Sequence, residues 1–184
     1  TRDQILRRVW GIEFDGESRG GRMCRAMDFL RELCGDKQIL GCGVPLGPAF
    51  GKVEYCRIGC DASLDWNNVP YMRNVNREYP STKHALLNTF YRRGLDGRAF
   101  LNDPDVFFLR TENCKLTPAQ KEKLATLDAL LGGVFLTSDD PSSYTEEMKR
   151  QYQYYRKLTE AEQMRKLPTF QMSQPAMPHR LSRS

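Results

Sequence analysis

Residues 52–61 have the sequence KVEYCRIGCD, a strand-like run that closes on an acidic residue. We predict a strand over residues 52–58, followed by a loop that holds Asp61, Asp65 and Trp66. Arg57 offers a fixed cation with several donors, and Asp61 can give or take a proton. On these residues alone, a salt bridge at the end of a strand is the simpler interpretation.

The stretches before this strand predict one helix and one further strand. Residues 21–33 place apolar side chains at three- and four-residue spacing, which predicts a helix with one buried face, and Gly35 follows as its stop. The side chains expected on that face are Met23, Ala26, Met27, Leu30 and Leu33. Residues 38–44 then predict a short buried strand, which Pro45 ends.

The stretches after the strand continue the alternation of helices and strands. A helix is predicted over residues 81–93, with Ser81 or Thr82 as its N-cap. Residues 98–110 predict a strand that is interrupted by Asn-Asp-Pro-Asp, and residues 133–137 predict a last strand. Between them, Thr117 with Pro118 and Gln120 gives the capping-box start of a helix that runs to about Leu131. This order predicts a parallel α/β sheet with polar residues collected after each strand.

Charge and composition exclude several classes of protein. The chain has 184 residues, a net charge of +5 and 28% charged residues. Its cations are interleaved with 23 acidic residues instead of forming a stripe, which argues against a nucleic-acid partner. No apolar run has the length of a membrane span, and the N-terminal residues lack the apolar core of a signal peptide, so we expect no membrane association.

Cysteine and histidine usage argues against a metal site and against a disulfide framework. Six cysteines and two histidines are present, and the cysteines form no CxxC pair. Several cysteines lie in apolar runs, where a free thiol behaves as a small hydrophobic side chain. We therefore expect a reduced, cytoplasmic protein with no metal and no cofactor.

Two other polar segments follow predicted strands. Residues 102–105 (NDPD) and residues 138–140 (SDD) are each explained by local structure, as a turn and as a helix cap respectively. Taken in order, however, the strand ends GCGVP, CRIGCD, FLNDPDVF and FLTSDD resemble the second half of the barrel in retaining α-galactosidases of the melibiase type. The resemblance extends from about residue 23 to residue 144.

The resemblance implies a fold and a set of site residues. The fold is a partial TIM (β/α)8 barrel, roughly strands 5 to 8 with their helices. Asp61 would be the acid/base, and Arg57 and Cys42 would contact the sugar. Asp103 and Asp105 of the Asn-Asp-Pro-Asp motif are further substrate-binding candidates. Trp66 is either a platform for a sugar face or an aromatic side chain of the core or rim.

One part of the family pattern is not matched. The nucleophile should stand in a Lys-x-Asp motif upstream of the first helix, where this chain has Glu13, Phe14 and Asp15. Asp15 is therefore only a weak nucleophile candidate, with an exposed loop acid as the alternative. A complete barrel needs about 250 residues, so we expect a truncated member of the family with little or no activity alone.

These inferences divide the chain into four parts. Residues 1–20 are expected to be an irregular N-terminal segment, residues 21–144 the C-terminal half of the barrel, residues 145–166 a charged helix and residues 167–184 a disordered tail. The implied ligand is an α-galactoside oligosaccharide or glycoconjugate. The open edges of half a barrel favour self-association or pairing with an N-terminal half. The alternative function is a non-catalytic carbohydrate-binding or interaction protein built on the same barrel.

Overall fold

The computed structural model of the chain describes residues 18–67 and 80–160, which form a mixed α/β fold with parallel strands. Its helices are α1 Arg19–Cys34, α2 Leu46–Ala49, α3 Thr82–Arg92, α4 Pro118–Leu131 and α5 Glu146–Leu158. Its strands are β1 Leu40–Gly41, β2 Tyr55–Arg57, β3 Leu101–Asp103, β4 Val106–Phe107 and β5 Leu136–Thr137. Short 3-10 helices cover Arg93–Leu95 and Pro141–Ser143.

All strand pairs in the described residues are parallel, as the alternating pattern predicted. β1 pairs with β2, β2 pairs with β3, and β4 pairs with β5. In the register of β2 and β3, Arg57 lies opposite Asp103. Because parallel strands end at the same edge of a sheet, this register brings the polar residues that follow β2 and β3 together.

The Asn-Asp-Pro-Asp motif divides one strand path into two pieces. β3 pairs with β2, and β4 then pairs with β5, so the chain changes its strand partner across Pro104 and Asp105. Asp105 adopts φ 90°, a backbone region that few side chains other than glycine occupy. The backbone N–H of Asp105 donates to Asp103 Oδ1 at 2.9 Å, which is the local turn expected for this motif.

The predicted starts of α3 and α4 are confirmed, whereas α1 begins earlier than predicted. Ser81, rather than Thr82, caps α3 and accepts a hydrogen bond from His84 N. Thr117 and Gln120 form a reciprocal capping box at the start of α4, with Pro118 at its first position. Ser18 caps α1, so this helix begins two residues before the predicted start at Gly21. At its other end, Gly35 adopts φ 53° and closes α1 as expected.

The apolar side chains form two clusters. The larger cluster joins α4 and α5 to β4 and the residues after it: Leu86, Phe107, Phe108, Leu109, Leu116, Leu124, Ala125, Ala129, Tyr144 and Tyr155. The smaller cluster lies between α1, β2 and the residues around them: Met27, Ala49, Val53, Cys56, Ile58 and Phe100. Phe107 stacks on Phe135 with a ring-centroid distance of 4.2 Å, which ties β4 to β5.

Several expectations about burial and length were wrong. Leu33 is 68% exposed and Leu40 is 46% exposed, although both were expected to be buried. Side chains of a strand project from the faces of the sheet, so burial of Leu40 requires another element to pack on its face. The strands are also shorter than predicted, with β1 and β5 having two residues each.

The helix predicted over residues 145–166 can be followed only within the described residues, up to residue 160. α5 ends at Leu158, where the C-cap residue Thr159 donates its N–H to the carbonyls of Arg156 and Lys157. The expectations for the segment 1–17, including Asp15, and for the tail 161–184 lie outside the described residues. Within residues 18–67 and 80–160, no helix is both long and apolar enough to span a membrane.

Two buried charges hold the backbone at Leu109 and Arg110. Asp139 Oδ2 accepts hydrogen bonds from Leu109 N at 2.6 Å, Arg110 N at 3.2 Å and Tyr144 Oη at 3.1 Å. Lys121 Nζ donates to the carbonyl oxygens of Leu109 at 3.2 Å and Arg110 at 2.9 Å. The backbone N–H groups of Leu109 and Arg110 are therefore bound by Asp139 and their carbonyl groups by Lys121. These hydrogen bonds fix the chain between β4 and α4.

Replacing Asp139 by alanine tests this arrangement. We expect Asp139→Ala to lower the free energy of unfolding by about 3 kcal/mol, because three buried donors lose their acceptor. The adjacent Asp140 is exposed and caps only a 3-10 turn, so Asp140→Ala should cost less than about 1 kcal/mol. Urea denaturation of both variants measures the difference, and equal losses would contradict this account.

Candidate active site

The centre of the candidate site is the guanidinium of Arg57 at the end of β2. Its Nε donates to Asp103 Oδ2 at 2.9 Å. Its Nη1 lies 2.8 Å from Asp105 Oδ1 and 3.0 Å from Asp61 Oδ1. One cation therefore joins β2, the turn after β3 and the loop after β2. The sequence predicted all four residues as site candidates, and the structure brings them together.

The three carboxylates differ sharply in their exposure to solvent. The side chain of Asp103 is 0% exposed and that of Asp105 is 9% exposed, whereas that of Asp61 is 72% exposed. The buried pair is thus committed to contacts within the protein. Asp61 stands at the open side of the cluster, where it can reach a molecule in solution.

The environment shifts the pKa of two of these groups. Burial raises the pKa of Asp105 above its ordinary value, although the Ala62 N–H at 2.6 Å and the charge of Arg57 oppose that shift. Burial lowers the pKa of Arg57, but the hydrogen bond and charge of Asp103, helped by Asp105, outweigh it and leave the pKa raised. Arg57 therefore remains a cation throughout the ordinary pH range.

Contacts that the sequence did not reveal hold the loop that carries Asp61. The backbone N–H of Ser63 donates to Thr82 Oγ1 at 3.2 Å, and the Thr82 hydroxyl donates back to the Ser63 carbonyl. Lys83 N donates to the Trp66 carbonyl at 3.0 Å. The first turn of α3 thus fixes the loop. No local pattern signals contacts between segments so far apart in sequence.

The remaining site candidates have different settings. Cys42 is exposed after β1 and lies near enough to contribute to the raised pKa values of Arg57 and Cys56. Trp66 is half-buried and packs against the larger apolar cluster. Asp15 lies outside the described residues. Within residues 18–67 and 80–160, no group of three or more His, Cys, Asp or Glu side chains is arranged to hold a metal ion.

Removing the Arg57 cation should destabilise the protein in a pH-dependent way. We expect Arg57→Gln to lower the free energy of unfolding by about 3–5 kcal/mol near neutral pH, since Asp103 and Asp105 lose their buried partner. The folded-state pKa of Asp105, which burial already raises, would then rise further above its unfolded value. Unfolding would therefore release protons, and the variant would lose stability as pH rises.

Urea denaturation at about pH 4.5 and about pH 7.5 checks this direction, with the smaller loss expected at the acidic pH. The matched control is Lys115→Gln, which breaks an ion pair to Asp65 in which the Lys115 side chain is 80% exposed. That change should cost less than about 1 kcal/mol. A loss for Arg57→Gln that is larger at the acidic pH would contradict the assignment.

Comparisons with known proteins bear on the fold of the chain. No protein-family model matches the chain. Among solved structures, it is similar to the α-galactosidase from Thermus thermophilus in complex with p-nitrophenyl α-D-galactopyranoside, at 28% identity and a TM-score of 0.66. The match covers 74% of this chain and 28% of that chain. The complex of the same enzyme with stachyose matches at 28% identity and a TM-score of 0.65, over 74% and 30% of the two chains. The chain therefore has an α-galactosidase-like fold and spans less than a third of the length of these enzymes.

Proposed function

We propose that this chain supplies the C-terminal half of the barrel of a retaining α-galactosidase, with Asp61 as the acid/base. The observation that carries the proposal is the cluster of Asp61, Asp103 and Asp105 around Arg57 at the carboxyl ends of neighbouring parallel strands. This edge is where barrel enzymes keep their catalytic residues. The similarity to the Thermus enzyme supports the same assignment.

In this proposal β1 and β2 are the fifth and sixth barrel strands. β3 and β4 together form the seventh strand and β5 forms the eighth. The consecutive order of parallel pairs supports the assignment, because successive strands of such a barrel are neighbours. Residues 21–144 would make up this half, and the segments on either side would lie outside it.

In this proposal Asp61 acts first as an acid and then as a base. Its protonated carboxyl would give a proton to the glycosidic oxygen as a nucleophile attacks the anomeric carbon. The ionised carboxylate would then take a proton from the water that cleaves the covalent intermediate. Arg57, which is held by Asp103 and Asp105, would orient Asp61 through their contact at 3.0 Å. The exposed side chain of Asp61 is consistent with direct access to substrate.

The other candidates would divide into sugar-binding and positioning residues. Arg57 and Cys42 would contact sugar hydroxyls of an α-galactoside oligosaccharide or glycoconjugate. The complete burial of the Asp103 side chain supports a role through Arg57 instead of direct contact. Asp105 would also act mainly by holding Arg57. Trp66 would anchor the loop that carries Asp61 to the larger apolar cluster.

Asp15 is the proposed nucleophile candidate, although Glu13 stands where the family has lysine. Among the described residues β1 pairs only with β2, and this open side, together with the exposed Leu40, supports pairing of this half with an N-terminal half or with a second copy. An N-terminal half would also bring the remaining groups that bind the sugar.

The first test is an activity assay on the 184-residue chain. We expect hydrolysis of p-nitrophenyl α-D-galactopyranoside to stay near the rate of a blank, because Asp15 lacks the expected lysine two residues before it. The release of nitrophenol is measured by absorbance. Robust turnover that is lost in Asp15→Asn would show instead that Asp15 serves as the nucleophile within this chain.

The second test uses a chimera in which residues 19–144 replace the matching part of the Thermus enzyme. We expect Asp61→Asn in the chimera to slow stachyose hydrolysis by about 10²–10⁴-fold, because its leaving sugar needs a proton. Cleavage of the nitrophenyl glycoside should fall less, since nitrophenolate leaves without one. Asp65→Asn, in the same loop and paired with Lys115, is the matched control and should retain activity.

Equal losses on the two substrates would contradict an acid role for Asp61. An inactive parent chimera would be examined for sugar binding, which addresses the alternative function of a non-catalytic carbohydrate-binding protein. One observation favours this alternative. The contacts of Arg57 with Asp61, Asp103 and Asp105 form among the described residues without a nucleophile. Binding of α-galactosides by the chain that survives Asp61→Asn would support it.

A further inference from the structure

Asp128 on α4 is a buried carboxyl that the proposed mechanism does not use. The residue is 1% exposed, and both of its side-chain oxygens are buried without a hydrogen-bond partner. An ionised carboxylate in such a place carries a large desolvation penalty. Burial, followed by the charges of Asp105 and Asp103, raises the pKa of Asp128 well above its ordinary value.

A third buried oxygen in the described residues also lacks a donor, and it belongs to Asn102 on β3. Asn102 is 0% exposed, and its Oδ1 has no hydrogen-bond partner, whereas its Nδ2 donates to the Arg92 carbonyl at 3.1 Å. Neighbouring residues of a strand point to opposite faces. Asp103 turns toward Arg57, so Asn102 turns toward the layer between the sheet and the helices.

The C-terminal end of α4 meets this same layer. Gly132 N donates to the Asp128 carbonyl at 3.0 Å, and Gly133 N donates to the Asn102 carbonyl at 2.8 Å. A side chain on Gly132 would stand 2.9 Å from Pro104 Cγ, so α4 packs closely against the turn. Asp128 therefore lies one helical turn before Gly132, and Gly132 and Gly133 are the residues that contact the segment 102–105.

We propose that Asp128 is held as a neutral carboxylic acid whose hydroxyl donates to Asn102 Oδ1, and that it positions the turn 102–105 beneath the Arg57 cluster. A neutral carboxylic acid carries one O–H donor, which is the group that the three buried oxygens lack. The hydrogen bond between Asp128 and Asn102 would hold the side of β3 that faces the helices. Asp103, on the other side of β3, and Asp105, in the turn, would then be presented to Arg57 in one orientation.

Among the described residues, no cation pairs with Asp128, because neither of its side-chain oxygens has a hydrogen-bond partner. The charges that act on its pKa are those of Asp105 and Asp103, both negative. Asp96, also negative, accepts a hydrogen bond from the Asn102 N–H, and Arg92 of α3 directs its guanidinium to the Ile58 carbonyl. The buried residues of α3 are Thr82, Ala85, Leu86 and Thr89, none of which titrates. The buried residue of α5 is Tyr155, whose pKa is itself raised by burial, so it stays neutral. β4 contributes Val106 and Phe107.

The test compares the full chain with Asp128→Asn, whose amide keeps a donor but cannot ionise. The unfolded chain releases the Asp128 proton near the ordinary carboxyl pKa, whereas the folded chain retains it. Unfolding therefore releases a proton above that pH, and the stability of the wild type falls as pH rises. Relative to Asp128→Asn, the unfolding equilibrium constant should grow up to about tenfold per pH unit until the folded-state pKa is reached.

Two further variants distinguish loss of the hydrogen-bond donor at position 128 from loss of its titrating carboxyl. Asp128→Leu should also lose the pH dependence but unfold more readily than Asp128→Asn, because only the amide restores the donor to Asn102. Glu122→Gln, at an exposed position of the same helix, should leave the pH dependence of the wild type unchanged. Urea denaturation across the pH range measures all of them, so the result does not depend on glycosidase activity.

A wild type and an Asp128→Asn variant with parallel stability curves across pH would overturn the proposal, because Asp128 would then be ionised in the fold. Equal stability of Asp128→Leu and Asp128→Asn would also overturn it, since the donor would have no acceptor to serve. If the Asp128→Leu variant does not fold, the pH dependence of stability in the wild type and in Asp128→Asn still decides the question.

Discussion

The Arg57 guanidinium is the interaction on which the arrangement of this site depends. It contacts carboxylates from three places in the chain, and two of them are almost completely removed from solvent. Buried carboxylates of this kind need a cation and further donors to remain ionised. The positions of β2, the β3 turn and the loop after β2 are therefore coupled, because moving any one of them leaves a charge without its partner.

The turn at Pro104 and Asp105 links this cluster to the rest of the fold. It lies where the strand path changes its partner from β2 to β5, and it stands between the two apolar clusters. On one side Asp103 and Asp105 face Arg57, and on the other the end of α4 packs against Pro104. The sheet and the helix layer thus meet at residues 102–105, which also supply the two buried carboxylates that contact Arg57.

Sequence patterns predicted what depends on neighbouring residues. The capping box at Thr117 and the turn at Asp103 and Asp105 are local, and both appear in the structure as predicted. The exposure of Leu33 and Leu40 was not predicted, because periodicity shows which face is apolar and not whether another element covers it. Asp128 gave no signal either, since an acidic residue within a helix is usually read as solvent-facing and its burial depends on distant segments.

The backbone at Asp105 has a further consequence for how this sequence can vary. With φ at 90°, glycine would suit the position better on conformational grounds alone. Glycine there would relieve the backbone but would remove one of the carboxylates that hold Arg57. The buried ion pair of Asp105 thus offsets the conformational cost of its backbone. A search for stabilising replacements that considered backbone conformation alone would therefore choose the wrong residue at this position.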